Sequence, residues 1–185
     1  DYYASRGLGD VYKRQFIIRM GRDLINLDNV YANNLGMLEK ICKTVNPSIE
    51  YPDNFFDELF PKDTKKDTFF AQLAYYSEIP VGACKAKLYP KKKGDAYPKG
   101  VHIEVLAVLD QYQNNQIETK FLTYIFEECK KHHQHNVYIH VPVNSNNILD
   151  WYKDNGFESE GEPLKELFNT TEGSADGIML KKHVD

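Results

Sequence analysis

The sequence has few of the residues that mark several large classes of protein. Its three cysteines, Cys42, Cys84 and Cys129, lie far apart and in no C-x-x-C spacing, which excludes a disulfide framework and a zinc knuckle. The longest purely apolar run covers residues 105–109, far fewer than the ~20 residues of a membrane span. The formal net charge is −4, whereas DNA-binding proteins present a strongly basic face. These absences predict a soluble, cytoplasmic protein with no membrane and no DNA partner.

The first nineteen residues differ in pattern from the rest of the chain. They mix aromatic, basic and glycine residues without a helix or strand period, and they end directly before Met20. We predict that residues 1–19 are a non-native or disordered segment. Residues 20–185 contain no repeat or linker, and their number is typical of one domain.

Apolar residues at helical spacing predict two amphipathic helices. Asp28 can cap the first helix and Pro47 ends it, and a short additional helix is expected over residues 53–60. The apolar stripe of the first helix consists of Tyr31, Leu35, Leu38, Cys42 and Val45. The stripe of the second consists of Ile117, Phe121, Ile125 and Cys129.

Runs rich in β-branched and aromatic residues predict strands over residues 23–27, 69–76, 81–88, 101–109, 137–143 and 177–182. A helix lies between the strands 101–109 and 137–143, so we expect these two strands to be parallel and adjacent or nearly so. A last helix around Tyr152 ends at Gly156, a residue suited to a left-handed stop. The order of elements predicts an α/β protein with a mixed, mostly antiparallel sheet around a central parallel βαβ unit.

Two sets of residues resemble a known family. Residues 146–157 read Asn-Asn-Ile-Leu-Asp-Trp-Tyr-Lys-Asp-Asn-Gly-Phe, which resembles the A/I-x-x-F/W-Y-x-x-x-G-F run in the last helix of the GNAT acyltransferase superfamily. Residues 28–35, 74–82 and 136–141 are similar to the NatE-type (San) N-terminal acetyltransferases, especially to their fungal members. The similarity extends from Met20 to Val184 and implies the GNAT (acyl-CoA N-acyltransferase) fold.

The resemblance implies a reaction and a set of partners. Acetyl would pass from acetyl-CoA to the α-amine of a nascent polypeptide at the ribosome. Active relatives use chains that start with methionine and have a hydrophobic second residue, and they dock on the catalytic and auxiliary subunits of the NatA complex. The α-amine has a pKa near ~8 and is largely protonated at neutral pH, so the reaction needs a base.

The resemblance also implies catalytic roles. His140 falls on the catalytic histidine of the family, and Tyr138 points to the same face of the strand. His102 stands where active relatives place a second catalytic tyrosine. Tyr152 falls on the tyrosine near the coenzyme sulfur, and a main-chain N–H of the strand 101–109 would hold the thioester oxygen. A half-buried strand histidine without a catalytic role is the alternative interpretation of His140.

The coenzyme turn departs from the family pattern. Active relatives carry R/Q-x-x-G-x-G/A, whereas residues 113–118 read Gln-Asn-Asn-Gln-Ile-Glu. A side chain at Gln116 shields backbone N–H groups that phosphate oxygens would approach. Glu118 would repel a diphosphate by about 4 kcal/mol at ~4 Å with an effective dielectric constant near ~20. Alternatively, Glu118 stabilises an empty helix N-terminus by roughly 0.3–1 kcal/mol.

The resemblance places the remaining binding residues as follows. The coenzyme contacts would be Leu109, Gln113, Gln116, Ile117, Glu118, Thr119, Lys120, Ser145 and Tyr152. Lys120 would recover part of the lost attraction, and Ser145 replaces an asparagine. The peptide contacts would be Pro47, Ile49 and Phe168. Asn46 replaces the phenylalanine of the F-P-V substrate loop, so methionine selectivity does not follow.

Two further clusters have simple explanations. No carboxylate or cysteine completes a metal site with His132, His133 and His135, and the helix dipole explains positive charge there, so no metal is predicted. Six lysines flank one hairpin and loop, and we interpret them as a solvated surface, with a contact to ribosomal RNA or a partner as the alternative. They are Lys85, Lys87, Lys91, Lys92, Lys93 and Lys99.

Two functions remain open at this point. The first is a NatE-type subunit that associates with NatA and has weakened or lost catalysis. The second is a fully active N-terminal acetyltransferase that acts on Met-starting nascent chains. The residues at Gln116 and Glu118 favour the first.

Overall fold

The computed structural model describes residues 24–61, 67–90, 97–113 and 115–185. The segment 1–19 and the lysine-rich stretch of residues 91–95 lie outside the described residues. Three α-helices are described: α1 (Leu35–Val45), α2 (Ile117–Lys131) and α3 (Asn146–Asp154). The described strands are β1 (Ile25–Asn29), β2 (Thr68–Tyr76), β3 (Ile79–Tyr89), β4 (Gly100–Val108), β5 (Asn136–Pro142), β6 (Glu158–Ser159), β7 (Leu164–Thr170) and β8 (Gly173–His183).

The strands form one sheet with a parallel pair at its centre. Their order is β1-β2-β3-β4-β5-β8-β6, and β7 pairs with β8 outside this path. β4 and β5 are parallel, whereas the other pairs are antiparallel. α2 follows β4 and precedes β5, so these elements form the expected βαβ unit. The predicted mixed, mostly antiparallel α/β fold is confirmed.

β4 and β5 separate over their C-terminal halves. Their pairing ends at Ile103 and Ile139, although both strands continue beyond these residues. On the other side of β4, the register against β3 shifts between Lys85 and Ala86, which leaves Glu104 as an extra residue. Such a β-bulge bends its strand locally. A cleft therefore opens in the middle of the sheet.

Helices cover both faces of the sheet. α1 buries Leu38, Ile41 and Cys42 in a cluster with Leu73 and Ala83 of the sheet. α2 packs on the opposite face and buries Ile117, Phe121, Leu122, Ile125 and Cys129. No helix in the described part of the chain is long and apolar enough to cross a membrane.

The region around α1 differs from the sequence prediction. α1 begins at Leu35, whereas the expected cap, Asp28, lies in β1. Asn34 organises the preceding turn, because its side-chain oxygen accepts a hydrogen bond from the Tyr31 N–H at 2.7 Å. Tyr31 therefore precedes the helix and is 51% exposed. Residues 53–60 contain only the short 3-10 turn Asp57–Leu59 instead of the expected helix.

Neither β6 nor β7 is expected from the sequence, and β8 begins at Gly173 rather than near residue 177. Most residues of β7 are exposed, so it has no apolar face with the alternation that predicts a strand. Its pairing with β8 is also irregular between Leu164 and Phe168, where Glu166 has a φ of 52°. β7 is therefore a strand because it pairs with β8, and not because of its own sequence pattern.

Lys85 is fully buried in β3, so its interpretation as a solvated lysine is wrong. Its ammonium group contacts the carboxylates of Glu58 and Glu104, and it lies 3.8 Å from the centre of the Phe55 ring. β3 is an interior strand of the sheet. Residues 46–60, which we call the segment after α1, cover the part of β3 around Lys85. Two carboxylates and an aromatic ring replace the water that a surface lysine would have.

We expect Lys85→Met to destabilise the fold by about 3 kcal/mol, because it leaves two partly buried carboxylates without their cation. Urea unfolding measures the loss. Lys43→Met is the matched control, since it removes an exposed ion pair with Glu39 and should cost less than about 1 kcal/mol. Equal losses in the two variants would show that the buried ammonium of Lys85 stabilises the fold no more than an exposed one does.

Candidate active site

Two adjoining cavities lie where β4 and β5 separate. The strand cavity, of about 390 Å³, is lined by the separated parts of β4 and β5, by the segment after α1 and by β7. The helix cavity, of about 450 Å³, is lined by the first turns of α2 and α3 and by the end of β4. The residues that line both cavities are Asn46, Leu106, Ile148 and Tyr152. A molecule that extends through the cleft can therefore contact both cavities.

The segment after α1 forms one wall of the strand cavity. Its Glu50 N–H donates a hydrogen bond to the carbonyl oxygen of Asn169 at 3.0 Å, which attaches the segment to β7. Ile49 and Phe168 consequently line the cavity. Pro47 is exposed and does not belong to the lining. Two of the three residues predicted to contact a peptide thus lie together in this wall.

His102 is buried in the wall of the strand cavity and carries an unpaired nitrogen. Its Nε2 lies 2.9 Å from the carbonyl oxygen of Pro98, and because a carbonyl cannot donate, Nε2 carries the proton. Nδ1 is then an acceptor, and it is buried without a hydrogen-bond partner among the described residues. Burial, with a smaller contribution from His140, lowers the pKa of His102 to about 4. The imidazole is therefore neutral at neutral pH.

His140 lies in the same cavity, on β5. Burial lowers its pKa, so it is also neutral at neutral pH. The ring of Tyr97 lies 5.9 Å from the His140 ring and 5.3 Å from the His102 ring. Tyr138 does not line the cavity, and its ring stacks on His102 at 4.8 Å. The structure thus brings the two predicted histidines together and places Tyr138 beside one of them.

α2 begins at the helix cavity with an unusual backbone conformation. Gln116, the residue before α2, has φ 60° and ψ 21°, a left-handed conformation that glycine adopts without strain. Its side chain makes no capping hydrogen bond, and the first N–H groups of a helix have no partner within the helix. Gln116 and Glu118 both line the cavity. The two positions where the family pattern has glycine therefore carry side chains at the cavity wall.

The other residues predicted to contact the coenzyme divide into two groups. Gln113, Thr119 and Tyr152 line the helix cavity. The others lie elsewhere: the Leu109 N–H donates to Val81, Ile117 is fully buried in the core, Lys120 lines a depression beside β1, and Ser145 precedes α3 as its N-cap.

Several lining residues are not among those predicted from the sequence. Asn147 and Trp151 line the helix cavity, and their spacing of four on α3 is the signal that could have identified them. Glu104 lines the strand cavity, and it is the only charged residue in the apolar stretch 101–109. Burial raises its pKa, and Lys85 opposes this effect.

The cleft also presents main-chain groups of β4. The Leu109 N–H donates to the carbonyl oxygen of Val81 at 2.9 Å and therefore points toward β3. Successive N–H groups of a strand point to opposite sides, so the N–H groups of Leu106 and Val108 point away from β3. They face the region where β5 no longer pairs with β4. The Leu106 N–H is consequently a hydrogen-bond donor at the junction of the two cavities.

A sheet that opens between two central parallel strands, beside the N-terminus of the helix that connects them, defines this chain as a GNAT-fold protein. Residues 35–157 match the model of the acetyltransferase (GNAT) family. The chain belongs to this family.

Similar proteins include N-terminal acetyltransferases. N-alpha-acetyltransferase 50 of Danio rerio is 29% identical over 159 residues, which cover 85% of this chain and 88% of that protein. The probable N-acetyltransferase san of Drosophila melanogaster is 28% identical over 164 residues, which cover 88% of this chain and 83% of that protein. The structure of Arabidopsis thaliana Naa50 in complex with the bisubstrate analogue CoA-Ac-MVNAL is 29% identical, with a TM-score of 0.68, and the match covers 86% of this chain and 98% of that chain. These similarities support the N-terminal acetyltransferase family and do not single out a fungal NatE-type member.

We expect acid to destabilise the fold through His102. Its pKa falls from 6.5 to about 4 on folding, so between these values the unfolded chain binds a proton that the folded chain does not. The free energy of unfolding is therefore unaffected by His102 above pH 6.5, and it falls by roughly 2–3 kcal/mol as the pH approaches 4. Urea unfolding across this range measures the loss.

His102→Phe should flatten this part of the pH profile, because phenylalanine keeps the ring contacts and does not titrate. His133→Asn changes an exposed histidine and should leave the profile as it is. An unchanged profile in His102→Phe would contradict the assignment of the acid sensitivity to His102.

Proposed function

We propose that this chain is a NatE-type N-terminal acetyltransferase that uses acetyl-CoA and binds it weakly. The observation that carries the proposal is the strand cavity, where two neutral histidines lie beside the free edge of β4. Arabidopsis Naa50 is known in complex with a conjugate of CoA, acetyl and a peptide. The two adjoining cavities offer one space for a coenzyme and one for a peptide N-terminus.

His140 is the better of the two bases. An α-amine has a pKa near ~8, and a base whose pKa lies far below that value is a poor proton acceptor. Burial lowers the pKa of both histidines, but the shift is large only for His102, whose pKa falls to about 4. We therefore assign proton removal to His140, directly or through a water molecule. The Nδ1 of His102, which has no hydrogen-bond partner among the described residues, would accept a hydrogen bond from the amine and orient it.

The junction of the cavities suits the transfer step. The Leu106 N–H would donate to the thioester oxygen and stabilise the charge that develops there. Burial raises the pKa of Tyr152, so its hydroxyl stays protonated and can donate to the leaving sulfur. The C–N bond would form while the C–S bond breaks, with the amine proton passing to His140 and the Tyr152 hydroxyl proton passing to the leaving sulfur. Water would then return a proton to Tyr152 and take the proton from His140.

The two ends of the cleft differ in how well they suit acetyl-CoA. The free edge of β4 suits its thioester arm, since main-chain donors face the cleft there. The start of α2 suits its diphosphate less well, because Gln116 and Glu118 line the helix cavity. At ~4 Å and an effective dielectric constant near ~20, the carboxylate of Glu118 would repel one phosphate charge by about 4 kcal/mol.

The same two residues favour a second candidate, a catalytically silent subunit that docks on the catalytic and auxiliary subunits of NatA at the ribosome. Apolar side chains near α1 support a docking role, since Tyr31 is 51% and Met37 is 40% exposed. Tagged protein should recover NatA subunits from cell extract with and without ribosomes, and Met37→Glu should reduce the yield. Recovery of neither subunit would contradict the association.

For the acetyltransferase, we expect calorimetric titration to give a dissociation constant for acetyl-CoA above about 100 µM. Gln116→Gly combined with Glu118→Gln should lower it at least about tenfold, a gain of about 1.4 kcal/mol. Glu127→Gln is the control, because it changes the same charge farther along α2 and away from the helix cavity. Tight binding by the unchanged protein would contradict a weakened site.

The double variant also separates the two candidates. With saturating acetyl-CoA it should acetylate a Met-starting peptide, and adding His140→Gln should slow the reaction by about a hundredfold or more. Coenzyme binding without any acetylation in the double variant would favour the silent subunit.

A further inference from the structure

The strand cavity is acidic in the part of the chain that the structure describes. Glu50 and Glu104 belong to its lining, whereas the described lining includes no lysine or arginine. Its two histidines are neutral at neutral pH. Glu50 is exposed at the rim, and Glu104 lies in the wall formed by β4. A positively charged group that enters this cavity would therefore meet only negative side-chain charge from the described lining.

Lys85 does not cancel the charge of Glu104. Its single ammonium group is shared between the carboxylates of Glu104 and Glu58, so this group of three carries an excess negative charge. The nearby Lys87 is paired with Asp67 at 2.8 Å and is farther, 3.7 Å, from Glu58. The side chain of Glu104 keeps 18% exposure, although its strand is central in the sheet.

Aromatic rings complete the environment of a cation. The cavity lining includes Tyr51, Phe55, Tyr89, Tyr97 and Phe168. Aromatic faces attract ammonium and guanidinium groups, and the alkyl stems of lysine and arginine pack against apolar surface while the charged end reaches a polar partner. The Lys85 ammonium over the Phe55 ring is an example of this contact inside the same protein.

An independent feature, a buried nitrogen of His102, indicates where the peptide amine would lie. His102 is 4% exposed, lines the same cavity, and keeps an Nδ1 without a hydrogen-bond partner among the described residues. An amine hydrogen would satisfy this acceptor. Two residues along a strand span about 6.6 Å, so Glu104 lies within the reach of a long side chain near that amine.

We propose that the strand cavity selects peptide N-termini with a lysine or arginine side chain among their first two residues, and that Glu104 determines this preference. The proposal rests on the proposed function, since it names the substrate class of the same site. The α-amine lies at His102 and His140, and the basic side chain passes between the aromatic rings to the carboxylate of Glu104.

Conjugates of CoA, acetyl and a peptide test the preference without relying on turnover. We compare peptides that begin Met-Lys, Met-Leu and Met-Glu, together with Lys-Leu, and measure their dissociation constants by calorimetry. The lysine conjugates should bind about tenfold more tightly than the Met-Leu conjugate, and the Met-Glu conjugate should bind least. Raising the salt to about 0.5 M should reduce the difference, because salt screens charge.

Two variants assign the preference to Glu104. Glu104→Gln should abolish most of the difference between the Met-Lys and Met-Leu conjugates. Glu58→Gln is the matched control, because Glu58 also binds Lys85 but does not line the cavity, and it should keep the preference. Equal loss in both variants would show that the preference depends on the Lys85 pair and would overturn the role of Glu104.

The remaining outcomes separate this proposal from the proposed function. Equal binding of all four conjugates would overturn the charge preference and leave the acetyltransferase proposal standing. Binding of none of the conjugates, even to the variant with Gln116→Gly and Glu118→Gln, would overturn both.

Discussion

The bulge at Glu104 is the constraint on which the other features of the site depend. Regularly paired parallel strands would hydrogen-bond along their full length and leave no space between them. Because the extra residue bends β4, its pairing with β5 ends at Ile103 and Ile139. The N–H and C=O groups beyond that point need other partners. The two cavities, His140 and the main-chain donor of Leu106 lie along this opening, and His102 lies in the last paired part of β4 beside it.

The ionisable groups around the bulge connect the shape of the site to its stability. Lys85 joins the segment after α1, through Glu58, to the bulge, through Glu104. A buried ion pair adds little net stability compared with apolar side chains, but an unpaired buried charge is strongly unfavourable. The network therefore favours one arrangement of the cavity wall. His102 lowers the stability of the fold, because its buried Nδ1 has no hydrogen-bond partner in the part of the chain that the structure describes.

At the start of α2, the backbone has a conformation typical of glycine, although the side chains differ from those of the family pattern. Gln116 keeps the left-handed conformation that suits glycine, although a left-handed residue with a Cβ costs roughly 1–2 kcal/mol. The fold thus retains the turn while its side chains alter the surface offered to an anion. Family membership follows from the match of residues 35–157 to the acetyltransferase (GNAT) family, and the side chains of Gln116 and Glu118 are the basis of our proposal that the coenzyme binds weakly.

The sequence by itself determined the elements whose residues repeat with a regular period. The apolar face of α2, the βαβ order and the resemblance of residues 146–157 are local patterns, so they could be read before any tertiary contact was known. Only the tertiary structure decided that Lys85 is buried, that β7 forms, that Tyr138 lies outside the cavity and that Glu104 lies in its wall. These properties depend on one bulge and on contacts between residues distant in sequence. Local periodicity carries no information about such contacts, because the same residues would show the same pattern in a regular, fully paired strand.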